Sequence, residues 1–175
     1  MTQKQFIGSA ISTWDNHRIL LWEALTLTKD SPLPVVEFGC GDGSTPYLSA
    51  YCAKNKRPFI SYESNNDWSK KYNSILVADW DSPELYKEYS VALIDHAPGE
   101  HRHIAIANLV DKAKIMVIHD SEPVGAGNYM LDKIWHLFAY KIHLKTDGAW
   151  ASLVSNIYNF NHLQGRSGEG WIIGV

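Results

Sequence analysis

An α/β fold, built on a doubly wound and mostly parallel sheet with a C-terminal antiparallel hairpin, is predicted by three observations. Short apolar runs alternate with helical stretches, one run feeds a glycine-rich turn that opens a helix, and an Asp-Gly turn joins two late extended segments.

The first element is a helix over Ser12–Leu27, where Trp14, Ile19, Leu20, Trp22, Leu25 and Leu27 recur near helical spacing and Ser12 or Thr13 stands at the N-cap. Ser31-Pro32-Leu33-Pro34 ends it, because proline lacks an amide donor and pushes its predecessor towards extended geometry. Val35-Val36-Glu37-Phe38 follows as a short strand whose apolar run suits a sheet covered on both faces. After Gly39-Cys40-Gly41-Asp42-Gly43, Ser44 or Thr45 caps a helix through Tyr51 or beyond, with Pro46 in its first turn. Further strands are expected over Pro58–Glu63, Ser74–Ala78, Val91–Asp95 and Lys114–His119. Helices are expected over Ile104–Lys112 and over Tyr129–Tyr140, the latter with Met130, Ile134, Leu137 and Phe138 on one face. Lys141–Lys145 and Trp150–Val154 flank the turn Thr146-Asp147-Gly148, and this antiparallel pair is expected to close the sheet. The glycines between Gln164 and Gly170 suggest a mobile strap.

A chain of 175 residues suffices for one domain, and 45% apolar with 20% charged residues is a globular profile. The net charge of -3 supplies no basic field to concentrate a polyanion, so a small neutral or weakly charged substrate is expected, not a nucleic acid. Cys40 and Cys52 are the only cysteines. A crosslink at Cys40, inside the glycine turn, would hamper ligand approach, so both read as reduced thiols of a cytoplasmic protein. Met1–Ala10 has no basic segment leading into an apolar run, and no stretch of about 18 apolar residues occurs, so neither secretion nor membrane spanning is expected. The oligomeric state stays open.

A strand that runs into Gly39-x-Gly41-x-Gly43 and then a helix brings bare backbone and a helix N-terminus against a ligand. Dinucleotide folds want G-x-G-x-x-G, but the third such position here is Ser44 and Gly43 comes one residue early. Glu63 ends the second strand about 20 residues beyond the turn, where an acid accepts bonds from ribose hydroxyls. Asp79-Trp80 follows the third strand. Strand ends on one edge of an open α/β sheet line a common crevice, so these groups share a geometric cause.

An acid within the first strand followed by Gly-x-Gly-x-Gly resembles the signature turn of class I S-adenosylmethionine (SAM) dependent methyltransferases, whose core is Rossmann-like. The resemblance implies that Glu37 helps hold the methionine amino end of SAM on the turn formed by Gly39, Cys40, Gly41, Gly43 and Ser44. It also implies that Glu63 takes the ribose, and that Asp79 meets the adenine amino group beside Trp80. Leu93-Ile94-Asp95-His96 and Val117-Ile118-His119-Asp120-Ser121-Glu122, at the ends of the fourth and fifth strands, resemble catechol O-methyltransferase and its relatives. There an Asp-His pair and an Asp-Asn pair stand, and two Asp and the Asn bind magnesium. By that resemblance Asp95, Asp120 and Ser121 are metal-ligand positions and His96 matches the family's histidine; in the catalytic set Asp95 and His96 are expected to orient the acceptor and His119 and Asp120 to complete the base or metal site, Asp95 also lining the cofactor site.

Two departures stand out: Ser121 replaces the asparagine, and Pro98 replaces the family's catalytic lysine. A base must then come from elsewhere, with His96, His101, His103 and His119 available. Asp95, His96, His119, Asp120 and Glu122 would also suit manganese, iron or zinc, or form a metal-free acid-base site. The family's use of an N-terminal helix implies a lid over residues 1–30, before a core at 34–155 and a tail at 156–175. In that segment Trp14, Asn16, His17 and Arg18 serve either as part of the lid or as an outer helix packed on the sheet. The expected activity is methyl transfer from SAM to a small acceptor, through oxygen by the catechol-type resemblance. A nicotinamide-dependent oxidoreductase and a catalytically silent SAM-binding module are the alternatives.

Overall fold

The computed structural model describes residues 1–7, 15–168 and 171–174. The chain passes through α1 (Gln3–Ile7) and α2 (His17–Leu27), then alternates through β1 (Val35–Phe38), α3 (Thr45–Lys54), β2 (Phe59–Glu63), α4 (Asn66–Tyr72), β3 (Ile75–Leu76), β4 (Tyr89–Ile94), α5 (Arg102–Leu109) and β5 (Ala113–His119). A short α6 (Pro123–Asn128) leads on to β6 (Tyr140–Thr146), β7 (Ala151–Ser155), β8 (Ser167–Gly168) and β9 (Trp171–Gly174). The strands form one sheet in the order β3-β2-β1-β4-β5-β7-β6-β9-β8. Its first five members run parallel, and the remainder pair antiparallel.

Side chains alternate across a strand, so the central strands, buried on both faces, sort their residues into two cores. Val35, Val91, Leu93, Ile115 and Val117 join one cluster with Leu20, Leu21, Ala24 and Leu25 of α2 and Leu48, Tyr51 and Cys52 of α3. Val36, Phe38, Ala92, Ile94, Met116 and Ile118 join the other, with Ala105, Ile106 and Leu109 of α5. The two helical layers cover opposite faces, as a doubly wound sheet requires. Both cysteines are free thiols. No helix among the described residues is long and apolar enough to cross a membrane.

Several elements depart from the sequence-based expectation. No continuous helix spans 129–140: α6 ends at Asn128, Met130 is left-handed at φ 55, and two 3-10 turns, Leu131–Lys133 and Trp135–Leu137, follow. Ile134 and Phe138 are buried as the apolar spacing suggested, but that spacing records which side chains face the core, not an unbroken backbone ladder. The β6–β7 pair does not close the sheet, because β9 pairs with the free edge of β6 and β8 with β9. Part of the expected strap is therefore in strand, while Glu169 and Gly170 lie outside the described residues, as do Ser12, Thr13 and Trp14. Ser44 is the N-cap residue of α3, yet its hydroxyl makes no capping bond and donates instead to Glu37.

Gly39 is the position where the turn demands glycine. It has φ 94, and a Cβ built there would lie 2.6 Å from the carbonyl oxygen of Asp95 and the backbone nitrogen of His96. A Cβ on Gly41 would meet nothing within 4 Å. Gly39→Ala should therefore lower the unfolding free energy by about 1–3 kcal/mol from backbone strain alone, with a further loss from the clash. Gly41→Ala should shift it by less than about 1 kcal/mol. Equal urea midpoints for the two variants would refute the close approach of the β1 and β4 ends.

Candidate active site

Register brings the site together. Phe38 pairs with Tyr62 on one side and Ile94 on the other, and Ile94 pairs with Ile118. One residue further along each strand stand Gly39, Glu63, Asp95 and His119, at the C-terminal edge of four adjacent strands. Alternation then assigns faces. Asp95 and His119 follow in phase with Leu93 and Val117 and so share the face covered by α2, where the His17 ring lies edge-on to His119 at 4.7 Å between centroids.

At this edge two carboxylates meet two cations. His119 Nδ1 lies 3.2 Å from both Asp95 Oδ1 and Asp120 Oδ1. Arg102, at the start of α5, donates through Nη2 to Asp95 Oδ1 (3.1 Å) and through Nη1 to Asp120 Oδ2 (3.2 Å). Its remaining bonds go to the carbonyls of His96 (Nε, 2.9 Å) and His119 (Nη1, 3.1 Å). Asp120 adopts a left-handed backbone at φ 53, a conformation aspartate tolerates better than most residues.

Burial works to neutralise His119, but the Asp95 charge and the hydrogen bonds that the ring donates to both carboxylates outweigh it and push the imidazole up to about 10. Burial likewise opposes ionisation of both acids, and His119 with Arg102 overcomes it. Asp120 sits at about 2, and Asp95 lies below the ordinary carboxylate range. His17, buried beside a charged neighbour, is pushed down to about 3 and stays neutral.

The glycine turn is braced from both sides. Glu63 accepts the backbone N–H of Cys40 (2.9 Å) through Oε2 and that of Asn65 (2.7 Å) through Oε1. Glu37 is fully buried and accepts hydroxyl protons from Ser44, Thr45 (2.9 Å) and Ser61 (2.9 Å). Burial raises its carboxyl to about 7 against the opposing pull of those hydroxyls. Gly41 N–H donates to Thr45 Oγ1 at 2.9 Å. Asp79 is exposed beyond β3 and accepts the Asp81 N–H at 2.9 Å.

Other expected site residues lie apart from this cluster. His96 falls on the opposite face from Asp95, where its buried ring stacks on Trp80 at 4.3 Å and is held neutral, near pKa 3, by burial and Arg102. Trp80 is itself 4% exposed and donates its indole N–H to Ala97 O. Ser121 Oγ accepts from Ser152 Oγ at 2.6 Å, and Glu122 Oε2 accepts the Trp150 N–H at 3.0 Å. His101 faces Asp81, and His103 Nδ1 lies 2.7 Å from the Glu100 carbonyl. Arg102 was not anticipated from sequence. Its signal was available all the same, since two acids at buried strand ends need cationic partners.

Asp95, His119 and Asp120 have potential ligand atoms within 4.8 Å of one another. As arranged, however, they do not fit a divalent ion. Each carboxylate already bonds both Arg102 and His119, and the two negative charges are balanced by two positive ones.

No protein-family model and no curated protein matches the sequence. Among solved structures, a probable spermidine synthase from Corynebacterium glutamicum superposes with a TM-score of 0.63 at 10% identity, over 95% of this chain and 75% of that one. A SAM-dependent O-methyltransferase from Thermotoga maritima gives 0.58 at 12% identity, over 88% and 69%. A spermidine synthase from the same organism gives 0.54 at 16%, covering 82% of this chain, which spans 59% of that enzyme's length. At these identities the likeness is one of fold, a parallel core with antiparallel C-terminal strands.

The cluster dictates the pH dependence of stability. Folded His119 keeps its proton up to about pH 10, against an ordinary value of 6.5, so its stabilisation is complete below pH 6.5 and is lost as pH rises towards 10. His17 and His96 act with the opposite sign. They stabilise the fold above pH 6.5 and cease to do so as pH falls towards 3. Urea midpoints of His119→Gln should accordingly vary less between pH 6.5 and 10 than those of the parent; parallel curves would show that His119 is not charged in the fold.

Proposed function

We propose that this chain is a class I SAM-dependent methyltransferase that transfers a methyl group to an oxygen of a small-molecule acceptor, in the manner of the catechol-type enzymes but without their metal. Neither a nucleic acid nor a membrane is a partner in this reading. One observation carries it: the glycine turn, Glu63 and Asp95 stand side by side at the ends of β1, β2 and β4, with Glu37 buried beneath the turn. The shared fold does not separate methyltransferases from spermidine synthases; the acids around the turn are what favour SAM.

The residues present fit that cofactor. Gly39 and Gly41 leave the turn bare, Glu63 has lone pairs beyond its two amide bonds for ribose hydroxyls, and Asp79 is exposed for an adenine amino group. Glu37 with Ser44, at the start of α3, would meet the methionine ammonium, and Cys40 and Gly43 complete the turn. Trp80 would support the adenine side from beneath, through its stack on His96. When bound, SAM supplies an electrophilic methyl group on a sulfonium.

The chain's part is alignment and proton handling. Asp95 and Asp120, ionised across neutral pH, accept the acceptor's hydroxyl hydrogen bond and aim its oxygen. As that oxygen takes the methyl group its hydroxyl proton would pass to Asp95 or Asp120, and His119 and Arg102 hold both acids in place to receive it.

Calorimetry should show binding of SAM and S-adenosylhomocysteine but not of NAD; the reverse would replace this reading with an oxidoreductase. Glu63→Ala should weaken S-adenosylhomocysteine by about 1.5–3 kcal/mol without loss of fold. In a screen of small hydroxyl compounds that follows S-adenosylhomocysteine release, Asp95→Asn should slow turnover more than it weakens cofactor binding. A chelator should leave the rate unchanged, and inhibition reversed by a divalent ion would reinstate a metal. Cofactor binding with no release from any acceptor would favour a silent binding module.

A further inference from the structure

The first turn of α2 carries polar atoms that the fold leaves unmatched. Asn16, His17 and Arg18 are 0%, 1% and 3% exposed, yet among the described residues Asn16 Oδ1, both His17 ring nitrogens and Arg18 Nε and Nη1 have no hydrogen-bond partner. A buried donor without a partner costs about 1–3 kcal/mol, more when charged, so a set of them at one helix start marks a place built to receive something. Arg18 is the strongest member. Its Nη2 donates to Asp15 Oδ2 at 2.7 Å, and its guanidinium carbon lies over the Tyr47 ring, 4.1 Å from the centroid. Held on one edge by an acid and beneath by an aromatic face, the group is pre-oriented with its other donors free, the condition in which arginine recognises a carboxylate.

Tyr47 fixes where this happens. It lies in the first turn of α3, immediately after the glycine turn, and its N–H donates to Ser44 O at 3.0 Å. The same turn is tied to Glu37 through the Ser44 and Thr45 hydroxyls. One helix N-terminus is thus flanked by a buried acid from β1 and a buried base from α2. That pairing matches the ammonium and carboxylate of an α-amino acid, and the helix dipole favours the carboxylate.

We propose that Arg18 is a ligand-binding residue whose unpartnered Nε and Nη1 donors take the α-carboxylate of the S-adenosyl ligand held at the glycine turn. The helix that precedes the sheet then contributes directly to cofactor recognition. This rests on the methyltransferase reading and adds a selectivity to it: ligands that keep the amine but lack the carboxylate should bind poorly.

The test is calorimetry with S-adenosylhomocysteine and its decarboxylated analogue against the parent protein, Arg18→Gln and Arg18→Lys, with unliganded melts to verify folding. The parent should prefer S-adenosylhomocysteine by about tenfold or more. Arg18→Gln should lose that preference, its affinity falling for S-adenosylhomocysteine and staying within about twofold for the analogue. Arg18→Lys, which keeps the charge and stem but not the planar donor set, should show an intermediate preference and supplies the comparison should the glutamine variant not fold. A wild-type preference in either folded variant, or an equal loss for both ligands, overturns the proposal while leaving the methyltransferase reading intact. If the parent binds neither ligand, that reading fails first and the role of Arg18 falls with it.

Discussion

Arg102 is the joint on which the C-terminal edge of the sheet depends. A single guanidinium at the start of α5 bonds the backbone of β4 just past its end, the last carbonyl of β5, and a carboxylate from each of Asp95 and Asp120. Strand ends in an open parallel sheet leave polar groups where the hydrogen-bonded ladder stops, and buried ones need partners. Here one side chain provides them for two neighbouring strands at once, with the Tyr129 ring packed against its guanidinium at 4.5 Å. Removing a partner from such a buried charge set is far more costly than the net worth of the set suggests, because the remaining charges are left uncompensated.

The same charges decide the chemistry available at the edge. Asp95 and Asp120 remain ionised because His119 and Arg102 neutralise them, and His119 remains protonated because the acids hold it so. A histidine in that state is a charged donor at neutral pH, unlike the neutral base that its position in the sequence suggested. It also means that the electrostatic role a divalent cation would play is already filled by protein side chains, which gives the Ser121 position no ligand to supply. Its hydroxyl is engaged by Ser152 instead.

Alternation along the strands does the remaining sorting. His96 directly follows Asp95, yet the pleat sends the two side chains to opposite faces, Asp95 towards α2 and His96 into the stack with Trp80. Adjacent residues held in the pleat are parted in this way, whereas His119 and Asp120 share one site because Asp120 leaves the strand with a left-handed backbone. Residues far apart in the chain meet as well, as His17 and His119 do across the layer boundary.

The sequence by itself determined the parallel core and the glycine turn. Val35–Phe38 is bounded by prolines and glycine, its apolar run can only be buried, and Gly39 serves a left-handed backbone that a side chain would obstruct. Those are local constraints, legible because propensity, spacing and steric limits act within a few residues. Tertiary structure alone decided that residues 129–140 break into turns, that β9 extends the sheet beyond the hairpin, and that Arg102 clamps Asp95 and Asp120 while Arg18 lies over Tyr47. Each depends on a partner distant in sequence, and the energy of a buried charge or an edge strand is set by what covers it, which no local pattern encodes.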